Sequence, residues 1–108
     1  MAIPHAKSGE VIDIHSLGQA LTHAWSTTLV KTKSLEVIRL IIPTGKEIPE
    51  HKVSGEITVQ CLEGRVAFTV GDSVHELKAG QLLYLSSEVA HSVRGIEDAS
   101  VLLTILLS

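Results

Sequence analysis

The clearest evidence for the fold of this chain lies in residues 45–64, which read GKEIPEHKVSGEITVQCLEG. The second half of this stretch alternates strictly between polar and apolar side chains. The polar set comprises Glu56, Thr58 and Gln60, and the apolar set comprises Ile57, Val59 and Cys61. Because successive side chains of a β-strand point to opposite faces of a sheet, this period of two predicts a strand whose apolar face is turned inward.

Short segments of strand character recur along the chain. They are Val11–Ile14, Thr28–Lys31, Leu35–Ile42, Glu56–Leu62, Arg65–Val70, Ser73–Leu77, Leu82–Leu85, His91–Arg94 and Val101–Leu107. The dipeptide Glu63-Gly64 is predicted to form a tight hairpin turn between two of them. Only Leu17–Trp25 has any helical character. Many short strands at close spacing favour a sandwich or a barrel, so we expect a single all-β domain.

Composition excludes several classes of function. The net charge is −3 with neutral histidines, and no basic block is present that could neutralise a row of phosphates, so no nucleic-acid partner is expected. The single cysteine, Cys61, cannot form an internal disulfide and fits a reducing compartment. Residues 1–10 lack the apolar core of a signal peptide, and Val101–Leu107 is too short for a membrane helix. We therefore expect a soluble cytoplasmic protein without a membrane partner.

Residues 45–64 resemble the first motif of the cupin family, usually written G-x5-H-x-H-x3/4-E-x6-G. Gly45, His51 and Gly64 stand where that motif requires them, whereas Val53 replaces its second histidine and Ile57 its glutamate. Residues 80–95, GQLLYLSSEVAHSVRG, resemble the second motif, G-x5-P-x-G-x2-H-x3-N. Its glycine and histidine are matched by Gly80 and His91, and its proline, second glycine and asparagine are replaced by Ser86, Glu88 and Gly95.

The resemblance covers about residues 35–107 and implies a double-stranded β-helix, the jelly-roll barrel of small RmlC-like cupins. We expect the barrel over residues 27–108, preceded by an N-terminal segment over residues 1–26 that could be exchanged between subunits. Strands Leu35–Ile42 and Val101–Leu107 are apolar on both faces, as strands covered on both sides are. A homodimer that buries one of them is the expected assembly.

In cupins, three histidines and a glutamate hold a divalent transition metal inside the barrel, a donor set that suits manganese, iron, nickel, copper or zinc. The four corresponding positions here are His51, Val53, Ile57 and His91. Two neutral imidazoles form a poor site, so no cofactor is expected, and a metal held by His51 and His91 would be held weakly. Glu56 could replace the lost carboxylate only through a β-bulge that turns its strand over and exposes the apolar face.

The resemblance places a pocket around His51, Val53, Ile57, Val59 and His91, which together form an apolar site with two convergent polar groups. We assign no catalytic residue, and three functional hypotheses remain. The favoured one is a binder of a small molecule, with weak or no metal binding. The second is a metal-dependent enzyme of the dioxygenase or isomerase type that uses His51 and His91. The third is a sensor or accessory module that acts through a protein partner.

Other reactive or conspicuous residues are given structural roles. Cys61 is predicted to be a small buried hydrophobe. His5, His15, His23 and His75 are predicted to be exposed, and Trp25 is predicted to anchor the N-terminal segment. Lys46, Glu47 and Glu50 are predicted to lie in a solvated loop near the barrel mouth.

Overall fold

The computed structural model describes residues 5–107 and consists almost entirely of antiparallel strands. After a short 3-10 helix, Gly18–His23, the strands are β1 (Thr27–Lys31), β2 (Leu35–Ile42), β3 (Glu47–His51), β4 (Ile57–Val70), β5 (Ser73–Lys78), β6 (Leu82–Leu85) and β7 (His91–Leu106). Hydrogen bonds order five of them as β1-β2-β7-β4-β5, while β3 pairs with β7 and β6 pairs with β4. The predicted all-β class is confirmed.

The predicted hairpin at Glu63-Gly64 is wrong, because the chain runs through it as one strand. Strand β4 pairs with β7 on both sides of these residues, and the register shifts between Cys61 and Val66. Gly64 lies within this irregular stretch with a φ of 77°, a value that a bulge uses as readily as a turn. The bulge changes which alternate residues face inward, from odd-numbered before it to even-numbered after it.

Two further predictions about the strands are wrong. Val11–Ile14 forms no strand, and Val11 is 96% exposed. Glu47 and Glu50, predicted to lie in a solvated loop with Lys46, belong instead to strand β3, which pairs with β7 through Glu47 and Arg94. The sequence of β3 is polar because only Ile48 packs against the core, so its strand state depends on pairing rather than on hydrophobic alternation.

The core forms where the inward faces of these strands meet. Its buried members are Ile42, Ile57, Val59, Cys61, Val66, Phe68, Leu77, Val93, Ala99, Val101 and Ile105. Cys61 is fully buried, as predicted, and its thiol lies near the carbonyl oxygens of Glu63 at 3.4 Å and of Gly64 at 3.5 Å. Burial raises the pKa of this thiol, which therefore stays protonated and unreactive.

The N-terminal segment is attached to the barrel by a polar cluster of three residues, Arg39, Glu63 and Ser100. Arg39 donates from Nη2 to Glu63 at 3.1 Å and to the carbonyl oxygen of His15 at 2.7 Å. Trp25 is 86% exposed, so the prediction that it anchors the segment is wrong, and Leu21, at 7% exposure, is the apolar contact instead. Exchange of this segment between subunits stays a prediction.

Candidate functional site

His51 and His91 face each other because β3 and β7 pair them directly. Their ring centroids lie 4.4 Å apart with an angle of 61° between the ring planes. The Nδ1 atom of His51 lies 3.0 Å from the carbonyl oxygen of Pro49, and that of His91 lies 2.9 Å from the carbonyl oxygen of Val89. His51 and His91, which lie 40 residues apart in the sequence, are thus brought together by the pairing of two strands.

These backbone contacts determine the tautomer of both rings. A carbonyl oxygen can only accept a hydrogen bond, so Nδ1 must carry the proton in each histidine. In the neutral ring, Nε2 is then left with a lone pair and without a backbone partner. The site therefore contains two imidazoles that both offer an acceptor nitrogen.

His91 is the buried member of the pair, with 5% of its surface exposed, whereas His51 is exposed at the mouth of the barrel. The ring of His91 stacks on Phe68 with a centroid distance of 5.2 Å and an angle of 17°. Burial lowers the pKa of His91 below its ordinary 6.5, the Val89 carbonyl partly opposes this, and His51 lowers it further. His91 is therefore neutral at pH 7.

A cavity of about 200 Å³ lies beside the two imidazoles. It is lined by Leu40, Ile42, Ile48, His51, Ile57, Val59, Phe68, His91, Val93, Val101 and Leu103. Apart from the two histidines, every one of these lining residues is apolar, and no charged side chain of residues 5–107 is among them. Such a cavity suits a largely apolar ligand with one polar end that the imidazoles can orient.

Four of the five residues predicted for the pocket lie around this cavity, namely His51, Ile57, Val59 and His91. Val53 is not among the lining residues and packs against the edge of the core instead. The chain leaves β3 at His51 and enters β4 at Ile57, so Val53 lies in the connection between these two strands.

Phe68 is the most informative lining residue that the sequence prediction of the pocket omitted. Its inward direction could have been read from the alternation of residues 65–70, but its position next to His91 depends on the pairing of β4 with β7. The lining residues of β2, Leu40 and Ile42, belong to a strand that is apolar on both faces, so alternation carried no signal there.

The side chains present do not fit the four-ligand metal site that the sequence resemblance implies. Among residues 5–107, no three histidine, cysteine, aspartate or glutamate side chains stand close enough together to hold a metal ion. Glu56 is exposed and accepts a hydrogen bond from the Tyr84 hydroxyl at 2.7 Å, so it does not replace the lost carboxylate. His75 is exposed on β5, and His5, His15 and His23 are exposed as well, as predicted.

A backbone hydrogen bond at Glu88 joins the segment that follows His51 to the segment that precedes His91. Its backbone N–H donates to the carbonyl oxygen of Val53 at 2.9 Å. Glu88 has a φ of 66°, the left-handed region that favours glycine, and it occupies the position of the second glycine in the second sequence motif. At the position where that motif has glycine, this chain therefore holds a conformation that glycine adopts without steric cost.

A family model described as "Cupin domain" matches residues 38–106. The chain belongs to the cupin family. The matched residues include both histidines and all strands from β3 to β7, together with most of β2. No curated protein shows a significant match to this cupin.

Solved structures give the same fold over most of the chain. A conserved protein of unknown function from Streptococcus pyogenes superposes with a TM-score of 0.77 at 21% identity, covering 100% of this chain and 96% of that one. An RmlC-like cupin from Desulfovibrio desulfuricans gives 0.70 at 24% identity, covering 94% and 97%. An RmlC-like cupin with a double-stranded β-helix fold from Methanocaldococcus jannaschii gives 0.74 at 17% identity, covering 92% and 94%.

This cupin therefore has the predicted double-stranded β-helix, or jelly-roll, fold. The identities are too low to transfer a ligand or an activity, because one fold supports many functions. No helix within residues 5–107 has the length and apolar character required to cross a bilayer.

Proposed function

We propose that this cupin binds a small apolar molecule in the cavity beneath His51 and His91, without a tightly held metal. The observation that carries the proposal is the lining of that cavity, which combines apolar side chains with two imidazoles. An apolar protein cavity of about 150 Å³ stays dry and accepts benzene, so a cavity of about 200 Å³ is large enough for a single ring with a substituent.

The surroundings of the cavity support binding rather than catalysis. Cys61 is fully buried and does not line the cavity, so it offers no accessible nucleophile there. Among residues 5–107 no carboxylate lines the cavity either, so the imidazoles have no acidic partner there of the kind that orients a catalytic base. The remaining lining groups are hydrocarbon side chains.

The proposal is tested by filling the cavity and measuring the binding of toluene by NMR. Leu103 lines the cavity, whereas its neighbour Leu102 does not, although both are partly buried on β7. We expect saturable shift changes at cavity residues in the wild type and in Leu102→Phe, and their loss in Leu103→Phe. Absence of saturable toluene binding to the wild type, or unchanged binding to Leu103→Phe, would contradict the proposal.

A metal-dependent enzyme that uses His51 and His91 is the second candidate. The observation in its favour is that both Nδ1 atoms are held by backbone carbonyl oxygens, as they commonly are in metal-ligating histidines. Metal content after purification without chelator or affinity tag decides between the candidates. A stoichiometric metal that is lost in both His51→Ala and His91→Ala would favour the enzyme and count against the metal-free binder.

The third hypothesis is a sensor or accessory module. It concerns the consequence of ligand binding for a protein partner and not the identity of the ligand. It predicts a protein partner whose affinity changes when the cavity is filled. Pull-down experiments with the wild type, Leu103→Phe and Leu102→Phe test it, since Leu103 lines the cavity and the equally partly buried Leu102 does not. Identical partners at identical yield would contradict a sensor role.

A further inference from the structure

We infer that the ligand of this cavity is an uncharged molecule with an apolar body about the size of one aromatic ring and a hydrogen-bond donor at one end. This inference rests on the proposed function and specifies its ligand class. Phenols and small alcohols belong to this class, carboxylates and phosphates do not, and purely hydrocarbon molecules of the same size are expected to bind more weakly.

The requirement for a donor follows from the two rings. Each Nδ1 is engaged by a carbonyl oxygen, so each neutral imidazole presents only an acceptor, Nε2, for any further partner. The two rings lie edge to face with centroids 4.4 Å apart, and within residues 5–107 no other side-chain hydrogen-bond donor lines the cavity beside them. A ligand hydroxyl or amino group supplies the donor that the protein lacks.

The requirement for an apolar body follows from the rest of the lining. Beyond His91 the surface consists of Phe68 and aliphatic side chains such as Val59 and Val101. A second polar group on the ligand would lose its hydration there without gaining a partner, which is unfavourable. Phe68 and His91, which are stacked, also form a flat aromatic surface that suits a ring.

The exclusion of charged ligands follows from where the cations and anions of the protein lie. Arg39, the buried cation, is committed to Glu63 and Ser100 and does not line the cavity. An anion would therefore face two acceptor nitrogens without a counter-charge, and a cation would find no carboxylate. An isolated charge in such a space carries a large desolvation penalty.

Four ring compounds of similar size separate these requirements. Phenol has a donor, anisole has the same oxygen without a donor, toluene has no oxygen, and benzoate carries a negative charge. At pH 7.5 we expect phenol to bind to the wild type about three- to tenfold more tightly than anisole or toluene, the range of one net hydrogen bond. Benzoate is expected to give no saturable shift changes.

Substitution of His91 by phenylalanine assigns the effect to the imidazole. His91→Phe keeps a ring that can stack on Phe68 and removes the acceptor nitrogen. We expect toluene binding to persist and the advantage of phenol over anisole to disappear. His75→Phe, at an exposed position on β5, is the matched control and should retain the advantage. His51→Phe provides a second variant should His91→Phe not fold.

The outcomes distinguish this inference from the proposed function. If none of the four compounds binds, both fail. If toluene and anisole bind as tightly as phenol, or benzoate binds most tightly, the ligand class is wrong while a small-molecule site remains. The same conclusion follows if folded His91→Phe and His51→Phe both keep the preference for phenol.

Discussion

The imidazole of His91 is buried between Phe68 and His51, and this placement governs its ionisation. A charged ring there would lose hydration without gaining a carboxylate, so the folded protein disfavours the protonated form. The sequence identified this histidine by its spacing from Gly80. Its burial and stacking follow only from the contact with β4.

Stability should therefore fall as the pH is lowered through the ordinary pKa of histidine. Because the pKa of His91 is lowered from 6.5 in the folded state, the unfolded chain takes up the proton first. The contribution of the neutral ring is fully present above pH 6.5 and is lost progressively below it. Urea unfolding at pH 7.5 and 5.5 should show a larger loss for the wild type than for His91→Phe, and equal losses would contradict this account.

The left-handed conformation of Glu88 leads to a stabilising substitution. A non-glycine residue in this region is strained by about 1 kcal/mol, which glycine avoids. Glu88→Gly should raise the free energy of unfolding by up to about 1 kcal/mol because φ there is 66°. Ser87→Gly is the control, since its φ is not positive and added flexibility should destabilise it slightly. A destabilised Glu88→Gly would show that the side chain has a structural role.

At the scale of elements, the bulge in β4 decides which side chains reach the cavity. Before it, Ile57 and Val59 face inward, and after it Phe68 does. Without the change of register at residues 61–66, the second half of the strand would turn Phe68 outward and expose a polar face to the core.

Gly64 is therefore expected to be intolerant of any side chain. A Cβ atom there would lie 2.0 Å from the carbonyl oxygen of Asp98, which is backbone and cannot move alone. Gly64→Ala should destabilise the protein by about 3 kcal/mol or more, combining a clash with backbone strain. Gly71, with a φ of 58° and no atom within 4 Å of its Cβ position, provides the control. Thermal unfolding that ranks Gly71→Ala below Gly64→Ala in stability would contradict the prediction.

The attachment of the N-terminal segment depends on Glu63. Its carboxylate accepts hydrogen bonds from the backbone N–H groups of Leu17 and Gly18, from Ser100 and from Arg39. Although burial raises the pKa of Glu63, these partners outweigh it and lower the pKa below its ordinary 4.5.

Removal of this carboxylate should release the segment. Glu63→Ala leaves Arg39 buried without its counter-charge, which costs about 3 kcal/mol in comparable cases. Limited proteolysis should then cleave residues 13–25 first and faster than in the wild type. Glu97→Ala, which removes an exposed ion pair with Arg65, is the control and should change stability by less than about 1 kcal/mol. Equal cleavage rates in both variants would contradict this role of Glu63.

At the scale of the whole molecule, the barrel leaves several apolar side chains exposed on the outside of its strands. Leu82, Tyr84 and Leu106 are 61%, 58% and 48% exposed. Leu106 lies at the end of β7, one of the two strands predicted from its composition to be covered on both sides.

The expected homodimer stays a prediction, and sedimentation equilibrium measures it directly. The wild type should sediment with twice the mass of one chain at micromolar concentration, and Leu106→Lys should sediment as a monomer. Val74→Lys places the same charge at a similarly exposed apolar position on β5 and should leave the dimer intact. A monomeric wild type, or a dimeric Leu106→Lys, would contradict burial of this strand.

The sequence by itself determined the fold class, the inward face of residues 57–61 and the two histidine positions. Alternation is a local pattern, and it carries the strand class and the inward face because each strand must place its apolar side chains toward one core, whereas the two histidines were identified through the resemblance to the two cupin motifs. The replacements at Val53 and Ile57 likewise showed that the family's metal ligands are incomplete.

Only the tertiary structure decided that Glu63-Gly64 is a bulge, that Glu47–His51 is a strand and that Val53 lies outside the cavity lining. The first two depend on hydrogen bonding to β7, a partner roughly 30 to 50 residues away in the chain, whereas Val53 lies in the connection between β3 and β4, where its carbonyl oxygen accepts a hydrogen bond from Glu88. A positive φ at glycine is compatible with a turn or a bulge, and a polar segment is compatible with a loop or a paired strand. The long-range backbone pairing selects between these alternatives, and it thereby brings together the residues that line the cavity.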